Sequence, residues 1–268
     1  MSIADYYDAR VEEEWQRLEA SWLEFAITQH FIRVKLSPES RILDLGGGPG
    51  RHAMALAKDG YSVDLVDLAP ANVNFARQKA AECGVRLGFA ITGDARALPS
   101  IASESYDGVL VLGPLYHLTE REDRNRCIDE VRRVLKPGGF GFFAFISTYA
   151  SAHYAVKHME QLPALMPLLR EASGRESYIV DPAKGHFTKA FYIHPSLIAE
   201  EFEGCGFQRV SLFGAESLFA QSELRLLSQS PETRSKLLAF AIAQAEDIAA
   251  LYNSEHIVFV GQKPGSTQ

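Results

Sequence analysis

The residues best suited to chemistry form a glycine run with an acid ahead of it, Leu43-Asp44-Leu45-Gly46-Gly47-Gly48-Pro49-Gly50. Glycine tolerates positive φ and, lacking Cβ, lets a ligand approach the backbone closely. A dinucleotide-binding turn wants glycines at its first, third and sixth positions. Here they stand at the first, third and fifth, and Arg51 holds the sixth. Asp44 suits the ammonium of an amino-acid-like ligand, met directly or through water. Asp67 follows roughly 20 residues on, where a carboxylate accepts from both hydroxyls of a ribose. The alternative for Asp67 is a helix N-cap, since Pro70 follows; its offset from the glycine turn favours the ribose. Leu68 offers an adenine an apolar face. Asp94 accepts from an exocyclic amino group while the Ala95 N–H donates to a ring nitrogen; a plain Gly-Asp turn is the equal alternative there.

These residues need strands and helices to bring them together. Arg41 to Leu45 reads as a short buried strand, followed by the glycine turn and a helix to Lys58 that Gly60 ends. Tyr61 to Val66 is a second strand closed by Asp67, and Pro70 opens the next helix, which runs to Gly84. Leu87 to Thr92, Tyr106 to Leu112 and Phe140 to Ile146 continue the series, the fourth strand nearly all apolar, as burial on both faces requires. Thr119 and Glu122 predict a capping box for the intervening helix, which ends at Lys136-Pro137-Gly138-Gly139. Such alternation implies parallel strands with right-handed crossovers. All the acidic or glycine-rich strand ends then fall on one carboxyl edge, where these sheets bind ligands.

At this point the chain resembles the class I S-adenosylmethionine-dependent methyltransferases. The motifs in order are the glycine run, Val66-Asp67-Leu68, Gly93-Asp94-Ala95, Tyr106-Asp107-Gly108-Val109 and Val134-Leu135-Lys136-Pro137-Gly138-Gly139. The match is good from Arg41 to Ile146 and looser through Gly206-Phe207 and His256 to Val260. It implies an α/β fold: a doubly wound, Rossmann-like, seven-stranded, mostly parallel sheet with the last strand antiparallel and helices on both faces. A helical lid insertion is added here. It implies S-adenosyl-L-methionine as cofactor, with Asp44 and Gly46 to Gly48 near its methionine end and Gly50 in the same turn. Asp67 and Leu68 would meet the ribose and adenine, Asp94 and Ala95 the adenine, and Leu112 or Gly113 the sulfonium region. Ala69 departs from the small hydroxyl residue often found there, which costs a helix cap.

Tyr116 and His117, in Leu112-Gly113-Pro114-Leu115-Tyr116-His117-Leu118, stand where substrate meets cofactor in this fold. Tyr116 could orient an acceptor, and His117, with an ordinary pKa of about 6.5, is the candidate general base; packing and capping are the plainer readings. Pro-Leu-Tyr differs from the Asn/Asp-Pro-Pro-Tyr of nucleic-acid amino-methylating enzymes. Two further pools are Tyr6, Tyr7 and Arg10, and, in the insertion, Tyr149, His153, Tyr154, His186, Tyr192 and His194. None has metal-ligand spacing.

The expected plan is one domain: an N-terminal helical cover (1–37), a cofactor-binding core (38–146), a lid or substrate insertion (147–194) and closing helices and strands (195–262). In the cover, Val11, Trp15, Leu18, Trp22, Phe25 and Ile32 recur at helical spacing and leave Glu12, Glu13 and Arg17 on the other side. Net charge is −7 over 268 residues, with no Lys/Arg cluster, which argues against a nucleic-acid partner. No apolar run reaches membrane-spanning length, no secretory signal opens the chain, and three scattered cysteines suit a reducing cytoplasm. No pattern specifies an oligomeric state. The expected reaction is methyl transfer to a small molecule. A non-catalytic S-adenosylmethionine-binding regulator and an NAD(P)-dependent oxidoreductase are the alternatives.

Overall fold

A computed structural model describes residues 2–180 and 188–265. Three helices open the chain: α1 (Ile3–Asp8), α2 (Val11–Ala20) and α3 (Trp22–Lys35). The alternating core follows as β1 (Arg41–Leu45), α4 (Arg51–Lys58), β2 (Ser62–Asp67), α5 (Pro70–Glu82), β3 (Ala90–Thr92), β4 (Tyr106–Val111), α6 (Pro114–His117), α7 (Arg121–Val134) and β5 (Leu135–Ser147). The insertion holds α8 (Ala150–Lys157), α9 (Leu162–Ala172), β6 (Tyr178–Val180) and β7 (Ala190–Ile193). Pro195–Phe202 is a 3₁₀ helix, followed by β8 (Gln208–Gly214), α10 (Glu223–Leu227), α11 (Pro231–Gln244), α12 (Ile248–Asn253) and β9 (His256–Gln262).

The first five strands lie parallel in the order β3-β2-β1-β4-β5. The last strand, β9, is antiparallel to both β5 and β8, as the Rossmann-like methyltransferase fold requires. The insertion is not wholly helical. It adds an antiparallel β6/β7 ribbon, giving nine strands among the described residues. The ribbon has a place because β5 outruns β4: the β4–β5 register ends at Val111↔Phe143, and Ile146 then pairs with Tyr192 on one side and His256 on the other.

Alternation along the strands explains their apolar composition. Ile42, Leu65, Leu110 and Phe142 point into one buried cluster with Leu23, Ile27, Leu56 and Val73. Leu43, Leu45, Val66, Val109, Phe143 and Phe145 point into the other, with Ile128 and Val131 of α7. Both faces are thus covered, and each fully buried Leu, Ile or Phe contributes about 1.5–3 kcal/mol.

Local signals mostly place the ends. Ala69 is the N-cap of α5 without a side-chain cap bond, and Pro70 follows it. The Thr119–Glu122 capping box does not form: α7 starts at Arg121 behind Glu120, and Arg124 Nη1 takes the carbonyls of Leu118 and Thr119 instead. Among the described residues no helix is long and apolar enough to cross a membrane.

Candidate active site

The strand order brings the carboxyl ends of β1, β2, β3 and β4 to one edge, and a cavity of about 530 Å³ lies across them. Asp44, Gly46, Gly47, Gly48, Asp67, Leu68, Asp94, Ala95, Leu112, Gly113, Tyr116 and His117 all line it. These residues span from 44 to 117 in sequence, and the sheet alone gathers them. Gly50 stands off the wall: it is the left-handed N-cap of α4, and a Cβ there would sit 2.9 Å from the Ala76 Cβ.

Gly48 has φ +55°, and a Cβ on it would meet nothing nearer than Asn72 Nδ2 at 4.0 Å, so this position opens onto the cavity. Its N–H donates to Asp67 Oδ2 at 2.8 Å. Asp67 Oδ1 accepts from the Ala69 N–H at 2.9 Å and from Asn72 Nδ2 at 3.1 Å. The carboxylate therefore ties the glycine turn to the start of α5 while lining the cavity; it is not the helix N-cap, a position that Ala69 holds. Burial raises the Asp67 pKa against these three donors. Asn72 Oδ1 is buried with no hydrogen-bond partner in this wall. A buried acceptor without a donor is costly, and hydroxyls of a bound nucleoside are donors of the right kind.

Asp44 lies deeper. Burial pushes its carboxyl up to about 7, the Ala53 N–H at 3.1 Å opposes this, and Asp67 adds to it. A cationic ligand group beside it would restore the charged form. Asp94 is held below the ordinary carboxylate range by Arg96, whose Nε and Nη2 engage both of its oxygens. Arg96 also reaches Asp123 at 2.8 Å, so the β3 tip is stiffened by an ion triad that spacing did not reveal.

His117 Nε2 lies 2.9 Å from Tyr7 Oη, and its Nδ1 lies 3.3 Å from Thr188 Oγ1 and 3.5 Å from the Lys189 carbonyl. Burial lowers its pKa to about 4, with the Lys189 carbonyl acting the other way. Tyr116 donates to the Leu112 carbonyl at 3.2 Å, and burial raises its pKa.

The cover contributes more than its stripe suggests. Tyr7, Glu14, Arg17, Leu18 and Glu24 line the cavity. Arg17, placed by periodicity on the outward face, turns inward and pairs with Glu14 at 2.7 Å. α2 borders the cavity through Glu14, Arg17 and Leu18 together, so polar and apolar positions of the helix share the inner side there. The Glu14/Arg17 pair at i,i+3 was the available signal. From the insertion, Thr188 and Lys189 reach His117, but Tyr149, His153, Tyr154, Tyr192 and His194 are absent from the cavity wall. Tyr149 bonds to His194 at 3.2 Å, and His194 accepts from the Ser196 N–H as the cap of the 3₁₀ helix. His186 lies outside the described residues. Glu24, Glu216 and His256, from three distant segments, place ligand-type atoms within 4.8 Å of one another.

A doubly wound sheet with an acid-flanked glycine turn and a cavity across its carboxyl edge is the Rossmann-like methyltransferase arrangement. Comparison with known proteins agrees. Residues 42–139 match the family model described as a methyltransferase domain. A ubiquinone biosynthesis O-methyltransferase of Xylella fastidiosa is 30% identical over 182 residues, covering 66% of this chain and 68% of its own. A SAM-dependent methyltransferase from Methanosarcina mazei superposes with a TM-score of 0.59 at 20% identity, over 88% of this chain and 98% of that one. The Burkholderia thailandensis 1,6-didemethyltoxoflavin-N1-methyltransferase, solved with 1,6-didemethyltoxoflavin and S-adenosylhomocysteine, gives 0.59 at 16% identity, over 98% and 85%. The chain belongs to the class I S-adenosylmethionine-dependent methyltransferases. It is an enzyme whose methyl donor is S-adenosylmethionine, which decides against the regulator and oxidoreductase readings.

Proposed function

We propose that this enzyme methylates a small molecule held within the cavity, and that the residues along its wall divide between cofactor and acceptor. The supporting observation is the composition of the wall: α1 and α2 add Tyr7, Glu14, Arg17 and Leu18 to a concave cavity of about 530 Å³ at the strand ends, which suits a small acceptor better than a polymer. Two similar proteins carry names from small-molecule methylation, one in ubiquinone biosynthesis and one on 1,6-didemethyltoxoflavin.

In this reading Asp67, Asn72 and Leu68 hold the ribose and adenine face, with Asp94 and Ala95 at the adenine edge. Asp44 and the Gly46 to Gly48 backbone hold the methionine end, and Leu112 and Gly113 line the transfer region. When bound, S-adenosylmethionine supplies an electrophilic methyl on a sulfonium. The chain's own work is alignment and exclusion of water, which together remove several kcal/mol of barrier. Tyr116, fixed to the Leu112 carbonyl, shapes the acceptor side. His117 is neutral at physiological pH, and because its Nε2 faces Tyr7 Oη, a proton from an acceptor reaches it through that hydroxyl. Residues 1–37 act as cover, 38–146 as cofactor core, 147–194 as an insertion that braces His117, and 195–262 as the closing part of the fold.

Incubating the protein with methyl-labelled S-adenosylmethionine and a metabolite extract tests this. Label is expected in the small-molecule fraction. Label confined to protein or nucleic acid would overturn the acceptor class.

A further inference from the structure

The cofactor assignments leave three carboxylates of the cavity wall unused, and two of them are held by arginines, Glu14 by Arg17 and Asp123 by Arg96. Glu24, on the first turn of α3, lines the cavity. Among the described residues no donor hydrogen-bonds to its carboxylate, and its one ion pair is with His256 Nδ1 at 3.9 Å. Behind it the arrangement is tightly held. His256 Nδ1 donates to Glu216 Oε1 at 2.8 Å, and Glu216 Oε2 takes the N–H groups of Glu255 and His256 at 3.1 and 3.0 Å. Glu223 Oε1 caps the same turn of α3 through the Leu23 N–H at 3.0 Å. A charged oxygen pair thus faces the cavity with fixed backing and an unfilled capacity to accept hydrogen bonds.

Its position along the sheet edge separates it from the adenosine end. Asp67 closes β2 and Asp94 follows β3, on one side of the β1/β4 crevice. Glu216 follows β8 and His256 opens β9, beyond β5 on the other side. The Tyr116 ring, on the cavity wall, lies 6.4 Å from the His256 ring.

Resting on the methyl-transfer reading above, we propose that Glu24, backed by His256 and Glu216, faces the transferred methyl from the acceptor side and binds the hydrogen-donating group of the acceptor. The acceptor class that follows carries an amine or hydroxyl at the reacting end: its lone pair forms the new bond to the methyl as the sulfur–methyl bond breaks, and its N–H or O–H donates to Glu24, which holds or takes that proton. Burial would push the Glu24 carboxyl up, but His256, Arg17, His52 and Arg51 around it bring it below its ordinary value. It is therefore ionised when the acceptor arrives.

The acceptor need not be known to test this. Sinefungin carries an ammonium where the cofactor has its methyl, and S-adenosylhomocysteine carries nothing there. Calorimetry with both ligands on the full-length protein gives the ratio of their affinities. In wild type, sinefungin should bind more tightly. Glu24→Gln should cut that preference by about tenfold or more, as expected for a lost charged hydrogen bond, and leave S-adenosylhomocysteine binding unchanged. Glu24→Asp, which keeps the charge on a shorter arm, should retain part of it and covers the case in which the Gln variant does not fold. An unchanged preference in a folded variant overturns the proposal. So does an equal loss for both ligands, which would put Glu24 at the amino-acid end. Failure of wild type to bind either ligand overturns the parent reading, and this one with it.

Discussion

Tyr7 Oη and His117 Nε2 lie 2.9 Å apart although 110 residues separate them in the chain. The contact closes the N-terminal cover onto the turn after β4, with the two rings edge-on at 5.6 Å. Tyr7→Phe keeps that ring contact and removes the hydroxyl. It should cost about 1 kcal/mol of unfolding free energy by urea titration and loosen α1, read as faster amide exchange over residues 3–8.

His117 also carries a kinetic prediction. If it is the base, His117→Ala should lower kcat by on the order of 10²–10⁴ without changing S-adenosylhomocysteine affinity. Because burial holds its pKa to about 4, the acid limb of the wild-type pH profile should lie near that value. A limb near neutrality that disappears in the variant would contradict the environment described, and full activity of the variant would remove the base role.

Asp67→Ala should act on binding and on folding together. It removes the acceptor of the Gly48, Ala69 and Asn72 donors. Unfolding free energy should fall by about 1–3 kcal/mol, and S-adenosylhomocysteine affinity should fall by roughly ten- to a hundredfold for charged hydrogen bonds lost. Unchanged affinity by calorimetry would refute the ribose assignment.

Asp44 gives a pH effect of definite sign. Its folded pKa, about 7, exceeds the ordinary carboxylate value chiefly because of burial. The folded state therefore binds more protons than the unfolded state, and this group's contribution to stability falls as pH rises from about 4 towards its folded value. Asp44→Asn should flatten that slope, raise Tm above wild type at pH values past the folded pKa, and weaken binding of the cofactor's ammonium end. Thermal melts across pH with and without S-adenosylhomocysteine check both halves.

His256 gives a slope of the same sign at higher pH. Burial would lower its pKa, but Glu24 and Glu216 outweigh burial and raise it to about 10. Its stabilisation is complete below about 6.5 and is lost as pH rises through the folded value. The Tm gap between wild type and His256→Gln should be widest near neutral pH and close towards that folded value.

The sequence by itself determined the parallel core of the sheet and the carboxylates along one edge of it. Period-two burial, glycine at Gly48 and Gly60, and Pro70 at a helix start are local constraints, legible wherever the chain must turn or bury a strand. Asp44, Asp67 and Asp94 were readable because a parallel sheet puts every strand's carboxyl end on one edge. The tertiary structure alone decided what stands opposite them. Periodicity gives a helix's faces but not which face meets a cavity, so Arg17 turned inward and Glu24 became a wall residue only when α2 and α3 came to border the cavity. The His256–Glu216–Glu24 group and the Tyr7–His117 contact join segments that no spacing relates. Their pairing follows from where β9 lies against β5 and where α1 comes to rest, and both depend on the whole core having formed.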